Sequence, residues 1–348
     1  MSGSNPLSVP STLQQATDPA WLQRALTPVI GDVSIDSVET VEVIRTMATK
    51  VRFRVKHACG SDDFCLKGFL DVDAGNAAGG STMIREADFY DQIAPKVQMQ
   101  LADCVIKVVD RQAQSGAIIM RDLITTHGAR MCNALMPLGT DVLRGTLTQL
   151  AALHAGGALL QTSPWITHRV LQNATKPHLS VATIQELFDG PRSEGLPSHI
   201  TNAERLMNAL KSLADRDLLR PQTLVHGDCH AGNVFLTDAG PGFLDWQLIQ
   251  SGNWALDVAY HINALLPVDV AEKQEINLLR HYLQSAKALG TTVPDFDEAF
   301  THYREAVVYG FYLWAITRRV APELTNMSNF RLGSAVSRHD SYRLLGVS

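Results

Sequence analysis

Three oxygen-bearing side chains, close together in the sequence, are of the types that phosphoryl transfer can use. Four residues separate Asp228 from Asn233, and Asp245 follows after a short predicted hairpin. A carboxylate can orient or deprotonate an acceptor hydroxyl, and carboxylate and amide oxygens bind the Mg²⁺ that accompanies nucleotide phosphates. We therefore expect this segment to supply a general base and oxygen ligands for a metal ion.

Composition and charge argue against several other classes of protein. The chain has 348 residues, of which 45% are hydrophobic and 19% charged, as is typical of a folded protein with a sizeable core. Its 30 Lys and Arg against 35 Asp and Glu give a net charge of −5, which argues against nucleic-acid or membrane partners. Five cysteines without a C-x-x-C spacing indicate neither a disulfide framework nor a structural zinc site. With no visible secretory signal or membrane-spanning stretch, we expect a cytoplasmic protein.

The predicted elements that must position these residues change in type along the chain. Residues 1–17 are rich in Ser, Pro and Gln and are predicted to form a loose arm. Residues 18–123 show mainly strand patterns, with apolar and basic residues alternating over 50–56, plus one helix after the third strand. Residues 124–348 show mainly helical periodicity, interrupted by a hairpin at 234–246. This order predicts an α+β fold with a β-rich N-terminal lobe and a larger helical C-terminal lobe.

Residues 226–235, together with residues 243–246 and 252–260, resemble the signature of the aminoglycoside phosphotransferase and choline kinase superfamily, especially its bacterial ecdysteroid-kinase-like branch. The resemblance implies a bilobed protein-kinase-like fold that transfers the γ-phosphoryl group of ATP, or of GTP, to a hydroxyl of a small molecule with the help of Mg²⁺. It also implies specific roles: Asp228 as catalytic base, Asn233 and Asp245 as Mg²⁺ ligands, and Asp257 as a brace of the catalytic loop. Because such a mechanism already has its base, we expect His226 to be a structural brace of the loop rather than a catalyst.

A possible phosphate-binding cation lies in the predicted N-terminal lobe. Lys67 stands in the middle of a strand among apolar neighbours, where a buried ammonium needs a counter-charge. Glu86 in the next predicted helix is the expected partner, and the pair resembles the strand lysine and helix glutamate that hold nucleotide phosphates. Met120, Arg121 and Asp122 resemble the connector whose backbone groups hydrogen-bond adenine.

One part of the pattern departs from the family. The turn expected to cover the phosphates, residues 45–50, contains no glycine, although glycine lets backbone N–H groups approach phosphate closely. Thr46 and Thr49, with the adjacent cations, are then the candidate phosphate contacts. The departure keeps open a second hypothesis, a catalytically inactive kinase-like protein that only binds nucleotide.

The sequence leaves open which molecule is the acceptor and whether the protein is a kinase or a metal-dependent hydrolase. His230, Trp254 and Tyr260 are candidates for the acceptor site. His226, Asp228 and His230 could alternatively ligate a transition metal in a hydrolase, but no second closely spaced histidine pair appears. We expect a small-molecule acceptor rather than a protein, because no D-F-G followed by an A-P-E-bounded activation loop is present. The protein is expected to be a monomer or a homodimer.

Other conspicuous side chains are predicted to be structural. Cys229 adjoins the candidate base but belongs to no Cys-His-Asn arrangement, and His154 is expected to pack within a helix. The basic residues of 50–56 are expected on a solvated strand face. A helical stripe is predicted to belong to the core, and consists of Tyr303, Val307, Phe311 and Trp314.

Overall fold

The computed structural model describes residues 7–72, 80–136 and 138–348, which divide into two compact units. The first unit comprises Met1–Pro95 and Leu101–Arg130, and the second comprises Lys96–Gln100 and Met131–Ser348. The first is built on an antiparallel sheet and the second is larger and mainly helical, which confirms the predicted α+β fold. Residues 1–6 of the predicted arm lie outside the described residues.

The first unit contains a five-stranded antiparallel sheet whose strands follow the order β1-β2-β3-β5-β4. Helix α3 continues into a π-helical turn at Phe89–Ile93. The strands are β1 (Ile35–Arg45), β2 (Thr49–His57), β3 (Gly60–Gly68), β4 (Cys104–Asp110) and β5 (Ser115–Arg121). The helices are α1 (Leu13–Ala16), α2 (Pro19–Ile30), α3 (Gly80–Asp88) and α4 (Leu123–His127).

One face of this sheet packs against the N-terminal helices. Alternate residues of β2 and β3, among them Phe53 and Leu66, form a core with Leu22 and Leu26 of α2. Ala16 of α1 is also fully buried there, so residues 7–17 differ from the predicted loose arm. Apolar side chains such as Leu7 and Leu13 give this segment enough buried contact to order it, despite its polar composition.

The other face of the sheet carries the basic residues of β2, and carboxylates neutralise several of them. The Arg52 guanidinium lies 2.7 Å from Asp122, and the Arg54 guanidinium lies 2.7 Å from Asp63. Lys56 forms a longer exposed pair with a β1 carboxylate. The alternating basic pattern therefore corresponds to a ladder of ion pairs.

The second unit surrounds two small sheets with helices. The sheets contain β7 with β10, and β6 with β8 and β9. The strands are β6 (Arg130–Met131), β7 (Thr223–Val225), β8 (Val234–Thr237), β9 (Gly240–Phe243) and β10 (Gln250–Gly252). The helices are α5 (Thr140–His154), α6 (Arg169–Thr175), α7 (Val181–Phe188), α8 (Ala203–Asp217), α9 (Ala255–Leu265), α10 (Val268–Ala288), α11 (Phe296–Ile316), α12 (Pro322–Arg338) and α13 (Ser341–Leu344).

Helix α9 lies at the centre of the second unit. All of its residues are buried, as expected for a helix that is apolar on nearly every side. The polar exceptions on α9 therefore need partners within the protein, and Asp257, Tyr260 and His261 find them in the segment that follows β7. Among the described residues, no helix is both long enough and apolar enough to cross a membrane.

Candidate active site

The segment that follows β7 is held by a carboxylate on α9. Asp257 is fully buried, and its two oxygens accept hydrogen bonds from the backbone N–H groups of His226, at 2.7 Å, and of Gly227, at 2.9 Å. The His154 Nε2 lies 3.1 Å from the same carboxylate. Burial alone would raise the pKa of Asp257, but the hydrogen bond and charge of His154 and the backbone donors hold that pKa below its usual value. An ionised Asp257 thus anchors the start of the loop.

His226 has both ring nitrogens committed inside the loop. Its Nδ1 accepts the backbone N–H of Asp228 at 3.1 Å, and its Nε2 therefore carries the proton and donates to the Leu244 carbonyl at 3.0 Å. Burial lowers the pKa of His226 and favours the neutral ring. Because neither nitrogen is available, His226 does not suit a transition-metal site. Among the residues that the structure describes, no group of three or more His, Cys, Asp or Glu could hold a metal ion.

Asp228 is partly exposed and each of its oxygens has a neighbour. The Tyr260 hydroxyl donates to Oδ1 at 3.1 Å, and the Asn233 amide nitrogen lies 3.3 Å from Oδ2. The same amide nitrogen donates to the Asp228 carbonyl at 2.8 Å. The Asn233 amide is thereby oriented with its nitrogen toward Asp228, which leaves Oδ1 of Asn233 as the atom that can bind a cation.

Asp245 lies on the chain segment next to Asn233. The N–H of the preceding residue, Leu244, donates to the Asn233 carbonyl at 2.9 Å. Asp245 itself has the left-handed backbone conformation, with φ 67° and ψ 69°, which is unusual for a residue other than glycine and is common at functional sites. Two oxygen-bearing side chains on neighbouring segments suit Mg²⁺, which takes a few protein oxygens and completes its shell with phosphate and water.

In the first unit, Lys67 and Glu86 form the pair predicted from the sequence. The Lys67 Nζ lies 2.7 Å from Glu86 Oε2, and the two side chains are only 2% and 1% exposed. Lys67 alternates with the core residue Leu66 along β3, so it occupies the face of the sheet opposite the apolar core. The pair joins β3 to α3.

The turn between β1 and β2 offers fewer phosphate contacts than expected. The Thr46 N–H and hydroxyl both donate to the Ala48 carbonyl, at 3.2 and 3.0 Å. The Thr49 hydroxyl is buried and faces the Leu70 carbonyl at 3.4 Å. Both hydroxyls therefore have internal acceptors, contrary to the expectation that they contact phosphate.

The segment Met120 to Asp122 ends β5 and is only partly available for nucleotide. The Arg121 N–H donates to the Asp103 carbonyl at 2.9 Å, and the Asp122 N–H donates to the Asp63 carbonyl at 3.0 Å. These two N–H groups already have backbone acceptors, so the adenine contacts that the resemblance implies would need other backbone groups of this segment.

The three acceptor-site candidates occupy different surroundings. Tyr260 is fully buried with its hydroxyl on Asp228, and Trp254 is buried and stacks on Tyr282 at 5.0 Å between ring centroids. Both rings are enclosed by packing within the second unit, and their predicted role at the acceptor site stays a prediction. The His230 side chain is 25% exposed, and its Nε2 lies 3.8 Å from Asp228 Oδ2.

The Cys229 thiol is buried, donates to the Asp257 carbonyl and has a raised pKa because of burial, so it is not a nucleophile.

The predicted core position of Trp314 is observed, but its indole N–H also donates to the Tyr260 hydroxyl, which the sequence did not predict. A buried tryptophan needs an acceptor for its N–H, so the predicted burial of Trp314 already indicated that its indole has a hydrogen-bond partner.

Solved structures place the chain in the protein-kinase-like fold. An ethanolamine kinase from Plasmodium vivax superposes with a TM-score of 0.52 and 13% identity, over 86% of this chain and 82% of that chain. A choline/ethanolamine kinase family protein from Mesorhizobium loti gives 0.50 and 13%, over 93% and 97%. An aminoglycoside-3'-phosphotransferase of type VIII gives 0.47 and 17%, over 82% and 98%.

The sequence identifies the family more closely. The profile of the ecdysteroid kinase-like family matches residues 61–292, and the chain belongs to this family. No curated protein sequence matches the chain significantly.

Proposed function

We propose that this protein is an ATP- and Mg²⁺-dependent kinase that phosphorylates a hydroxyl of a small molecule. The observation that carries the proposal is Asp228, whose carboxylate is partly exposed and oriented by Tyr260 and Asn233 in a loop braced by Asp257. Membership of the ecdysteroid kinase-like family and the kinase-like fold support the same activity.

Each group has one role in the proposed reaction. Asp228 accepts the proton of the acceptor hydroxyl while that oxygen bonds to the γ-phosphorus and the bond to the ADP oxygen breaks. Asn233 and Asp245 would hold Mg²⁺, which when bound neutralises charge on the nucleotide phosphates. Lys67, positioned by Glu86, supplies the protein's own positive charge to those phosphates.

The acceptor class rests on the type of enzymes to which the fold is similar. The Plasmodium vivax protein is an ethanolamine kinase and the Mesorhizobium loti protein belongs to the choline/ethanolamine kinase family, so both point to small hydroxyl compounds. His230, which is partly exposed beside Asp228, is the residue that we expect the acceptor to contact.

The test replaces Asp228 with Asn and measures phosphoryl transfer to a panel of small hydroxyl compounds. Loss of a general base is expected to lower kcat by about 10²- to 10⁴-fold. Nucleotide binding, measured by calorimetry with ATP, GTP and Mg²⁺, should persist. Asp238→Asn, the same change at an exposed hairpin carboxylate, is the matched control and should retain the wild-type rate.

Two outcomes would contradict the proposal. A wild-type rate in Asp228→Asn would refute the assignment of the base. Mg²⁺-dependent nucleotide binding without transfer to any acceptor would favour the second hypothesis, an inactive nucleotide-binding relative, for which the glycine-free turn and its internally bonded Thr46 are the structural support.

A further inference from the structure

Two aromatic side chains connect the candidate base to the helical core. The Trp314 Nε1 on α11 lies 2.8 Å from the Tyr260 hydroxyl on α9, and that hydroxyl lies 3.1 Å from Asp228 Oδ1. Trp314 is 5% exposed and Tyr260 is fully buried. Three residues from three separate segments therefore form a continuous hydrogen-bonded chain that ends on the proposed catalytic carboxylate.

The direction of the protons in this chain follows from the chemistry of its members. An indole N–H can only donate, so the Tyr260 oxygen must accept from Trp314. A tyrosine hydroxyl has a single proton, and with its oxygen already accepting from Trp314, that proton is directed to Asp228 Oδ1. Burial, and then the charge of Asp228, raise the pKa of Tyr260 well above its usual value, so the hydroxyl remains a donor.

The two oxygens of Asp228 consequently have different surroundings. Oδ1 accepts the hydrogen bond of the buried Tyr260 hydroxyl, whereas Oδ2 lies 3.3 Å from the Asn233 amide nitrogen. His230, a quarter exposed, lies 3.8 Å from Oδ2, so this oxygen lies on the more accessible side. The rings of His230 and Trp314 are also in contact, with 5.3 Å between their centroids, so the Oδ2 side of Asp228 adjoins the same hydrogen-bonded chain.

We propose that Tyr260 and Trp314 are positioning residues that hold Oδ1 of Asp228, so that Oδ2 is the oxygen that receives the proton of the acceptor hydroxyl. This inference rests on the proposed kinase function. Loss of a buried hydroxyl could lower stability anywhere in the core, whereas a positioning role is specific to Tyr260. Tyr342 is also buried, but its hydroxyl donates to the backbone carbonyl of Ile200, at 2.9 Å. Tyr342→Phe is therefore the matched control.

The first measurement does not depend on activity. The indole N–H resonance of Trp314, assigned by its disappearance in Trp314→Phe, is recorded in uniformly ¹⁵N-labelled protein. Tyr260→Phe removes its acceptor and Asp228→Asn changes the group beyond, so both are expected to shift this resonance, while Tyr342→Phe leaves it in place. An unshifted resonance in both Tyr260→Phe and Asp228→Asn would show that the chain of hydrogen bonds does not form.

The second measurement separates positioning from packing by kinetics. Tyr260→Phe is expected to lower kcat by about 10- to 100-fold, as for loss of a hydrogen bond to a charged group, with the KM for ATP unchanged. Trp314→Phe, which retains the hydroxyl on Asp228, should lower kcat less. Because both act through one bond, the double variant should have the rate of Tyr260→Phe.

The outcomes distinguish the inference from the function on which it rests. Resonance shifts in a protein that phosphorylates no acceptor would refute the proposed kinase function and leave the hydrogen-bonded chain established. Wild-type kcat in Tyr260→Phe, or multiplied losses in the double variant, would overturn the positioning role. If Tyr260→Phe unfolds, Trp314→Phe alone decides, with an unchanged kcat counting against the proposal.

Discussion

Gly227 shows at the level of a single residue how backbone geometry limits the choice of side chain in the loop that follows β7. Its φ is +82°, and a Cβ atom at this position would lie 2.4 Å from the Leu248 carbonyl oxygen. Its N–H donates to Asp257 and its carbonyl accepts from Tyr309 at 2.7 Å, so the residue cannot move without breaking both bonds. Glycine therefore satisfies a steric and a conformational requirement at once.

We predict that Gly227→Ala is about 2 kcal/mol more destabilising than Gly290→Ala, because overpacking is added to the left-handed conformation. Gly290 is the matched control, since it has the same φ of +82° but nothing within 4 Å of an added Cβ. Urea unfolding of both variants provides the comparison. Equal losses in the two variants would mean that the loop adjusts to the added methyl group.

At the level of elements, the buried pair of Lys67 and Glu86 joins β3 to α3. We also propose that its lysine binds the phosphates of the nucleotide. These two roles can be separated, because a buried charge without its partner is strongly destabilising while a neutral pair of similar size is not. The pair is well suited to the test, since both side chains are almost fully enclosed.

We predict that Lys67→Met destabilises the protein by about 3–5 kcal/mol, since the buried Glu86 carboxylate then loses the Lys67 ammonium as its counter-charge. Lys67→Met combined with Glu86→Gln should recover most of that loss but not phosphoryl transfer, because the phosphates still lack their cation. Unfolding free energies and turnover measured on the single and double variants test both statements. Activity in the stable double variant would count against a role of Lys67 in phosphate binding.

For the whole molecule, we expect the buried His261 to couple folding to pH. His261 is fully buried between Cys229, whose carbonyl lies 2.6 Å from Nδ1, and Thr146, whose hydroxyl lies 2.6 Å from Nε2. Burial lowers the pKa of His261 to about 4. Because an unfolded histidine has a pKa of about 6.5, the unfolded chain binds more protons between these values, so stability falls as pH decreases.

We predict that His261 contributes a slope of up to about 1.4 kcal/mol per pH unit to the free energy of unfolding as pH falls from about 6.5 towards 4. His261→Asn retains a donor for the Cys229 carbonyl and should remove this contribution. Urea unfolding of the two proteins at pH 8, where the histidine is neutral in both states, supplies the reference. An identical pH dependence in wild type and variant would contradict the prediction.

The sequence patterns were sufficient to predict the order of strands and helices along the chain, and the candidate site residues that lie close together in the sequence. Alternation with period two over residues 50–56 predicted β2, and helical periodicity predicted that helices dominate residues 124–348, because both patterns are read from consecutive residues. The short strands β7 and β10 were not predicted, since three residues each carry no usable periodicity. The predicted hairpin at 234–246 is observed as β8 and β9, with β9 beginning at Gly240.

The partners of the buried polar groups were decided only by tertiary structure. The spacing of Asp228, Asn233 and Asp245 lies within one stretch of sequence, so motif reasoning could find it. The bonds from Tyr260 to Asp228 and from Trp314 to Tyr260 span 32 and 54 residues, and helix packing alone determines them. The same kind of packing buries Trp254, one of the predicted acceptor-site residues, against Tyr282. Residue types and spacing indicate which groups could take part in a reaction. The orientation of a candidate catalytic side chain depends instead on contacts between residues that lie far apart in the sequence, and local patterns do not encode those contacts.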